Sequence, residues 1–252
     1  MPPFRYLTAT TFSVLLASFF APAYGQIICP EGSVTDTNFV RQFSSKTGKI
    51  VNHTLQSLNE KDFKKTLARL DDALALSNLN PYEKSIIHQM QGQTHYELGD
   101  QAKAISAFEA ALCSGGLTTE ESQAMSLNIG QLYIASGAYD HGADIMEANL
   151  DLQSDAEIKP QYVEIITQAR VQAEQYDEAL PWAERWLAQS NPEANPGANP
   201  IANPAARAPY DLLNFLYSET GQKTKRADIL KQMIHIWPED DTLTKALETI
   251  EN

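Results

Sequence analysis

Cations are scarce in this chain. It carries 19 lysine and arginine residues against 32 aspartate and glutamate, a formal net charge of -13 at pH 7. A surface of that sign repels phosphate backbones and anionic headgroups, so nucleic acid and membrane surfaces are not its expected partners. Long apolar runs are also few. The uncharged stretch from Leu7 to Phe20 is shorter than the ~20 residues a membrane span needs, and no later segment is long enough. Cysteine is nearly absent, with Cys29 and Cys113 alone, so only one intramolecular pairing is open to it. There is no glycine-rich phosphate cradle and no Gly-x-Ser-x-Gly elbow. The acidic clusters Asp71-Asp72 and Glu239-Asp240-Asp241 lack the glycine-punctuated spacing of a calcium loop and read as solvated faces. Catalysis needs a nucleophile, base or metal set converging on one pocket, and no such set is legible here. The chain is expected to be no enzyme and to need no cofactor and no metal.

What is present suffices for a core: 43% of the residues are hydrophobic. Residues 1–25 read as a signal peptide rather than as part of the fold. Arg5 supplies the basic start, Leu7 to Phe20 the apolar centre, and Ala21-Pro22-Ala23-Tyr24-Gly25 the small residues before a cut ahead of Gln26. The mature chain is therefore expected to be exported, without a membrane span. Residues 26–36 form an N-terminal arm holding Cys29, while Cys113 ends a predicted helix before Ser114-Gly115-Gly116. A disulfide would pin the arm to the following helices; two unpaired thiols are the other reading, and both stay open on the sequence alone.

The body of the chain repeats itself. One segment reads Gly92, His95, Gly99, Ala104, Phe108, Ala111, and the next, 38 residues on, reads Gly130, Tyr133, Gly137, Gly142, Met146, Asn149. Numbering each unit so that Gly92 and Gly130 are position 8 puts small residues at positions 8 and 20 and larger ones at 11 and 24. This pattern resembles the tetratricopeptide repeat. The anchors Thr54, Thr167 and Asn214 extend it, so that it spans about Thr37 to Trp237 and fades at both ends. In the last unit Arg226 stands where a small residue is wanted. The resemblance implies an all-α, right-handed solenoid of helix pairs that buries one face of each helix and leaves a concave face for binding. Residues 37–189 would hold four repeats, and 210–252 a degenerate repeat or capping helices.

Local signals agree. Asn80-Pro81-Tyr82-Glu83 reads as an N-cap with a first-turn proline, and Thr118-Thr119-Glu120-Glu121 as a capping box. Gly99, Gly137 and Gly221 stand where first helices must stop. Pro181 falls among the first four residues of a helix if Asp177 is its N-cap. His88 and His95, seven residues apart, share a helical face and suggest metal ligands, but they occupy packing positions where core histidine is the simpler reading. Trp182 and Trp186 are expected to fill the space between repeats. Residues 190–209 repeat Asn-Pro four times, which removes donors and disfavours helix, so this stretch is expected to be an extended spacer loop.

In the architecture the resemblance implies, positions 2, 5, 9 and 12 of each first helix face the concave groove. Position 9 is Gln93, Gln131 and Gln168, a row of amides able to hydrogen-bond an extended peptide. Position 5 is Gln89, Leu127 and Glu164, and position 12 is Tyr96, Ile134 and Val171, which supply an apolar row. Lysine and arginine are missing there, so the carboxylate clamp known in some family members is not supported.

A narrower likeness rests on Arg41 to Lys49, Asn80-Pro81-Tyr82-Glu83-Lys84 and Ser114-Gly115-Gly116-Leu117. These resemble the exported tetratricopeptide proteins of Gram-negative bacteria that accompany TonB-dependent outer-membrane transport. The likeness implies a periplasmic adaptor that binds a protein partner in its groove, among TonB-system components or their receptors. An assembly or tethering factor for outer-membrane or cell-wall machinery is the alternative, and a metal-dependent enzyme a more distant one.

Overall fold

The computed structural model describes residues 27, 29, 39–150, 158–190 and 207–251. The proposed signal peptide, most of the N-terminal arm and nearly all of the Asn-Pro segment lie outside them. Among the described residues the chain is all α-helical. Its helices are α1 (Ser45–Asn59), α2 (Phe63–Leu74), α3 (Pro81–Glu97), α4 (Gln101–Cys113), α5 (Thr119–Ala135), α6 (Tyr139–Leu150), α7 (Pro160–Gln172), α8 (Tyr176–Ser190), α9 (Ala208–Glu219), α10 (Lys223–Ile236) and α11 (Asp241–Glu251). Each packs on the helix before and the helix after it, most closely in the pairs α3–α4 and α5–α6. The core is correspondingly a ribbon of successive clusters, from Leu70, Ala73 and Ile87 at one end to Leu230, Met233 and Trp237 at the other. At the carboxyl end α9 and α10 form a fifth pair, and α11 covers it.

Small residues set how closely each pair approaches. A β-carbon on Gly142 would stand 2.5 Å from the Gly130 carbonyl oxygen, and one on Gly130 would stand 2.6 Å from Met146 Cγ. In α3 a β-carbon on Gly92 would meet the Phe108 ring at 2.6 Å. Where the pattern departs from small residues, polar bonds take their place. Arg226, out of pattern in the fifth pair, donates from Nε to Asn214 Oδ1 at 3.0 Å, so the two mismatched positions satisfy each other. The first pair uses hydroxyls in the same place: Thr66 Oγ1 donates to Ser57 Oγ at 3.1 Å.

Helix boundaries follow the caps. Asn80 and Glu83 form a reciprocal capping box on α3, and Thr118 and Glu121 form one on α5. Gly99 and Gly137 take φ values of 75° and 90°, the left-handed conformation that ends α3 and α5 at little steric cost. One expectation is corrected. α8 begins at Tyr176, so Pro181 lies in the helix interior rather than among its first four residues. Pro181 and Asp177 are both exposed, so the Asp177 carbonyl that the proline ring leaves unpaired can turn to water.

The two short motifs, Pro81-Tyr82-Glu83 and Ser114-Gly115-Gly116-Leu117, prove to be the two sides of one contact. The Gly116 amide donates to Ser85 Oγ at 3.0 Å, and that hydroxyl donates to the Ala111 carbonyl at 2.8 Å. A β-carbon on Gly116 would lie 2.3 Å from the Pro81 carbonyl oxygen, so the link between α4 and α5 lies directly on the start of α3.

The residues before α1 run across the amino ends of three first helices. Arg41 pairs with Glu121 at 2.7 Å, reaching the capping box of α5, and its guanidinium lies 5.2 Å from the Tyr82 ring centroid. The Gln42 carbonyl accepts from Asn80 Nδ2 at 3.0 Å, and Phe43 meets Tyr82 at 5.3 Å between ring centroids. The Ser44 amide donates to Glu83 Oε1 at 2.7 Å, while Glu83 Oε2 accepts the Asn80 amide at 2.9 Å. Farther toward the amino terminus, Cys29 is disulfide-bonded to Cys113 with a Cα–Cα distance of 5.3 Å, and Ile27 packs on the cluster containing Ile105 and Ile129.

Glu83 is only 1% exposed. Burial alone would push its carboxyl upward, but the Ser44 and Asn80 amides and the nearby hydroxyls of Thr47 and Ser44 outweigh it and hold the group below the ordinary carboxylate range. A carboxyl lowered in the folded state adds stability that is complete above its unfolded value and disappears as pH falls through the folded one. Glu83→Gln, which offers one acceptor to two backbone donors, is expected to cost about 2 kcal/mol at neutral pH. It should also flatten the acid limb of stability measured by denaturant titration between about pH 5 and pH 3. Gly142→Ala, whose methyl meets the Gly130 carbonyl and the Ile134 amide as well as Ile134 Cγ1, is expected to cost about 1–3 kcal/mol in the same assay.

Candidate functional site

Helix α3 shows which surface the array leaves free. Its buried residues Ser85 and Gly92 lie on one flank, and Ile87 and Thr94 on the other. Between the flanks, Gln89, Gln93, Tyr96 and Glu97 stay exposed, four and three residues apart, as one helical stripe. The same stripe appears on α5 at Ala124, Asn128 and Ala135, on α7 at Gln161, Gln168 and Gln172, and on α9 at Asp211, Phe215 and Ser218.

Between α3, α4 and α5 the stripe opens into a cleft of ≈ 610 Å³. Gln93 and Tyr96 line it from α3, Asn128, Gln131, Leu132 and Ala135 from α5, and Gln101 and Phe108 from α4. The cleft owes its depth to a glycine: with no side chain on Gly92, the Phe108 ring lies against the α3 backbone. Tyr96 is 54% exposed, a large aromatic face held open to solvent. Leu55 and Phe215, at position 9 of the first and fifth repeats, are 44% and 40% exposed. The amide row is thus flanked by an exposed apolar residue at each end.

The amides are fixed by contacts within their own helices. Gln93 Nε2 donates to Glu97 Oε1 at 2.9 Å, Gln131 Nε2 to the Leu127 carbonyl at 3.3 Å, and Gln168 Nε2 to Glu164 Oε1 at 3.1 Å. Their rotamers are therefore set in advance, which lowers the ordering cost of a hydrogen-bonded ligand.

Of the residues singled out from the sequence, Gln93, Tyr96 and Gln131 share the cleft. Gln89 and Gln168 lie exposed on the same stripe, and Glu164 is half-buried beside them. The expected apolar row is corrected. Leu127 is 6% exposed and packs with Met146 and Val163, because α6 and α7 close over position 5 of α5. Ile134 packs on the same cluster, and Val171 on the next one. The apolar surface of the cleft comes instead from Tyr96, Phe108 and Leu132. Phe108 reads as a core residue at its repeat position, and nothing in the sequence marks its ring as lining the cleft.

Arg170 escaped the sequence reading. It is 5% exposed, and its guanidinium donates to Asp144 at 2.6 Å, to both Glu147 oxygens at 2.8 and 2.6 Å, and to Gln175 at 2.7 Å. Burial opposes its charge, but these acceptors prevail and raise its pKa, so it stays a cation joining α6 to α7. Four of its five N–H donors are taken by partners within the fold, which makes it a staple rather than a ligand site. A smaller cleft of ≈ 300 Å³ beside α8, α9 and α10 holds Glu184, which already accepts from Tyr217 and Lys225 at 2.9 Å each.

His88 is half-buried and bonded to Gln91 at 3.0 Å, and burial lowers its pKa. Trp182 and Trp186 are buried among α5, α6 and α7. Among the described residues no three histidine, cysteine, aspartate or glutamate side chains gather as a metal set, and no helix is long and apolar enough to cross a membrane.

No protein-family model and no curated protein matches the chain. Solved structures do. A tetratricopeptide repeat protein from Parabacteroides merdae ATCC 43184 is similar over 82% of this chain and 73% of its own, at 15% identity and a TM-score of 0.51. YrrB, a tetratricopeptide repeat protein with an unusual peptide-binding site, is similar over 79% of this chain and 90% of its own, at 15% identity and a TM-score of 0.49. BtubC from P. vanneervenii is similar over 77% of this chain and 80% of its own, at 15% identity and a TM-score of 0.45. With its helices paired in sequence and its likeness to the first of these structures, the chain has the tetratricopeptide repeat fold.

Proposed function

We propose that this chain is a non-catalytic scaffold that holds an extended segment of a partner protein along the exposed stripe of its first helices. The observation that carries the reading is the cleft of ≈ 610 Å³ in which the amides Gln93, Asn128 and Gln131 stand beside the faces of Tyr96 and Phe108. Amides both donate and accept, so they can pair with peptide backbone whatever its sequence, while aromatic faces take up side chains. An anchor of this kind carries most of the affinity of such contacts.

The chain works in the periplasm, in this reading. Support comes from the apolar leader Leu7 to Phe20 behind Arg5 and from the pairing of Cys29 with Cys113, which suits an oxidising compartment. Its partners belong to TonB-dependent outer-membrane transport. That attribution rests on the likeness of the Pro81-Tyr82-Glu83 and Ser114-Gly115-Gly116-Leu117 segments, which meet at the start of α3.

Photo-crosslinking from position 131 in living cells, with captured proteins identified by mass spectrometry, tests both levels. Recovery of TonB-system components or receptors is the expected result; recovery of envelope-assembly or cell-wall proteins would move the attribution while leaving the cleft in use. With the crosslinking residue moved to position 128, Tyr96→Ala combined with Gln131→Ala should reduce capture about tenfold or more with melting temperature and helicity unchanged. Undiminished capture by that folded variant would place the binding surface elsewhere. Leu127 is unsuitable for such a test, since its burial would confound binding with stability.

A further inference from the structure

The charges of the array are sorted by surface. Taking positions 2, 5, 9, 12 and 13 of the first helix in all five repeats, none is lysine or arginine. Four are carboxylates: Glu97, Glu164, Asp211 and Glu219. The cations stand elsewhere. Lys64, Lys65 and Arg69 lie on α2, Lys103 on α4 and Lys225 and Lys231 on α10, all on second helices. Those that occur on or beside first helices fall outside these positions: Lys46 and Lys49 on α1, Lys84 on α3, Lys159 just ahead of α7, Arg41 bound to Glu121, and Arg170, which is buried. Arg207, just ahead of α9, pairs with Asp211 and Asp240.

Two of the four carboxylates stand beside members of the amide row, one on α3 and one on α7. Glu97 holds Gln93, and Glu164 holds Gln168, each through a single exposed hydrogen bond. A carboxylate has about four acceptor sites, so both groups retain capacity for an incoming donor. Tyr96, beside Glu97, offers a face that favours a cation as well as an apolar side chain. Leu55 and Phe215 extend the apolar character to both ends of the stripe.

From this sorting we infer that the groove, if it holds a peptide as proposed above, selects one that is basic and apolar: extended, with lysine or arginine interleaved among aliphatic or aromatic residues. An acidic segment would meet the carboxylates of Glu97, Glu164 and Glu219 along the groove, while Asp211 is already paired with Arg207. The rest of the -13 net charge acts in the same direction, since it draws cationic segments toward the array over a Debye length of about 8 Å at physiological salt.

The test is fluorescence anisotropy with the full, disulfide-bonded chain and three labelled twelve-residue peptides of equal apolar content. One carries lysines, one carries glutamates and one carries serines at the alternate positions. The lysine peptide is expected to bind about tenfold tighter than the serine peptide and to lose that advantage at about 0.5 M salt. Glu97→Gln with Glu164→Gln, which keeps a side-chain oxygen for Gln93 and Gln168, should bring the ratio of lysine-peptide to serine-peptide affinity, both measured on that variant, to about one. Equal binding of all three peptides would overturn the preference and leave the groove reading standing. Binding of none of them, at low as well as high salt, would overturn both. A lysine-to-serine affinity ratio that stays near tenfold in the double variant would also overturn the inference, because these carboxylates would then not be what selects charge.

Discussion

A methyl group on Gly142 would stand 2.5 Å from the Gly130 carbonyl, so α5 and α6 approach as closely as bare backbone allows. That approach decides what the remaining surfaces do. A first helix pressed this tightly on its own partner still has a second flank, and the next repeat must cover it. Leu127 shows the result: it is sealed by α6 and α7 together, with Met146 and Val163 as neighbours. What escapes both flanks is a single stripe per first helix, and successive stripes line up because the pairs stack in sequence. The groove is therefore what is left over when the packing is complete. Its residues are free to be polar without cost to the core.

This explains which parts of the molecule could be read from the chain. The helix pairs were legible because small residues at fixed intervals and capping boxes at Asn80 and Thr118 are local signals, each with its own steric or hydrogen-bonding cause. Gln93, Tyr96 and Gln131 were legible as groove residues because helical phase alone sets their direction. Phase could not reveal Leu127 as core, since its burial depends on how far α7 closes over α5. Nor could it reveal Phe108, which looks like any packing aromatic although its ring, seated on the α3 backbone at Gly92, also lines the cleft. Arg170 was hidden for a related reason: its three acidic and amide partners come from α6 and from the turn after α7, and nothing in the local sequence announces their meeting.

Glu83 joins these two levels. As the third residue of a capping box it is a local feature, yet its second oxygen takes the Ser44 amide and so fixes where the preceding repeat begins. The residues from Arg41 to Ser44 touch the amino ends of α1, α3 and α5 in turn, tying three repeats by their ends rather than by their faces. End repeats of a solenoid have only one neighbour and fray most readily. Here polar contacts from Arg41, Gln42 and Ser44 to the second and third repeats add to the apolar packing of the first repeat on the second.

The bridge between Cys29 and Cys113 spans 84 residues of sequence, and it changes how the molecule would carry a load. Tension applied at the two chain ends passes from Cys29 straight to Cys113 through covalent bonds. The first repeat and most of the second lie inside the closed loop and feel no pull. Only the units beyond Cys113, from α5 onward, stand in the line of force. With the bridge intact, the array is mechanically two bodies: a sheltered amino-terminal block and a carboxyl-terminal stack that yields first. The cleft between α3 and α5 straddles that divide, so a partner seated in it would join the shielded block to the loaded one.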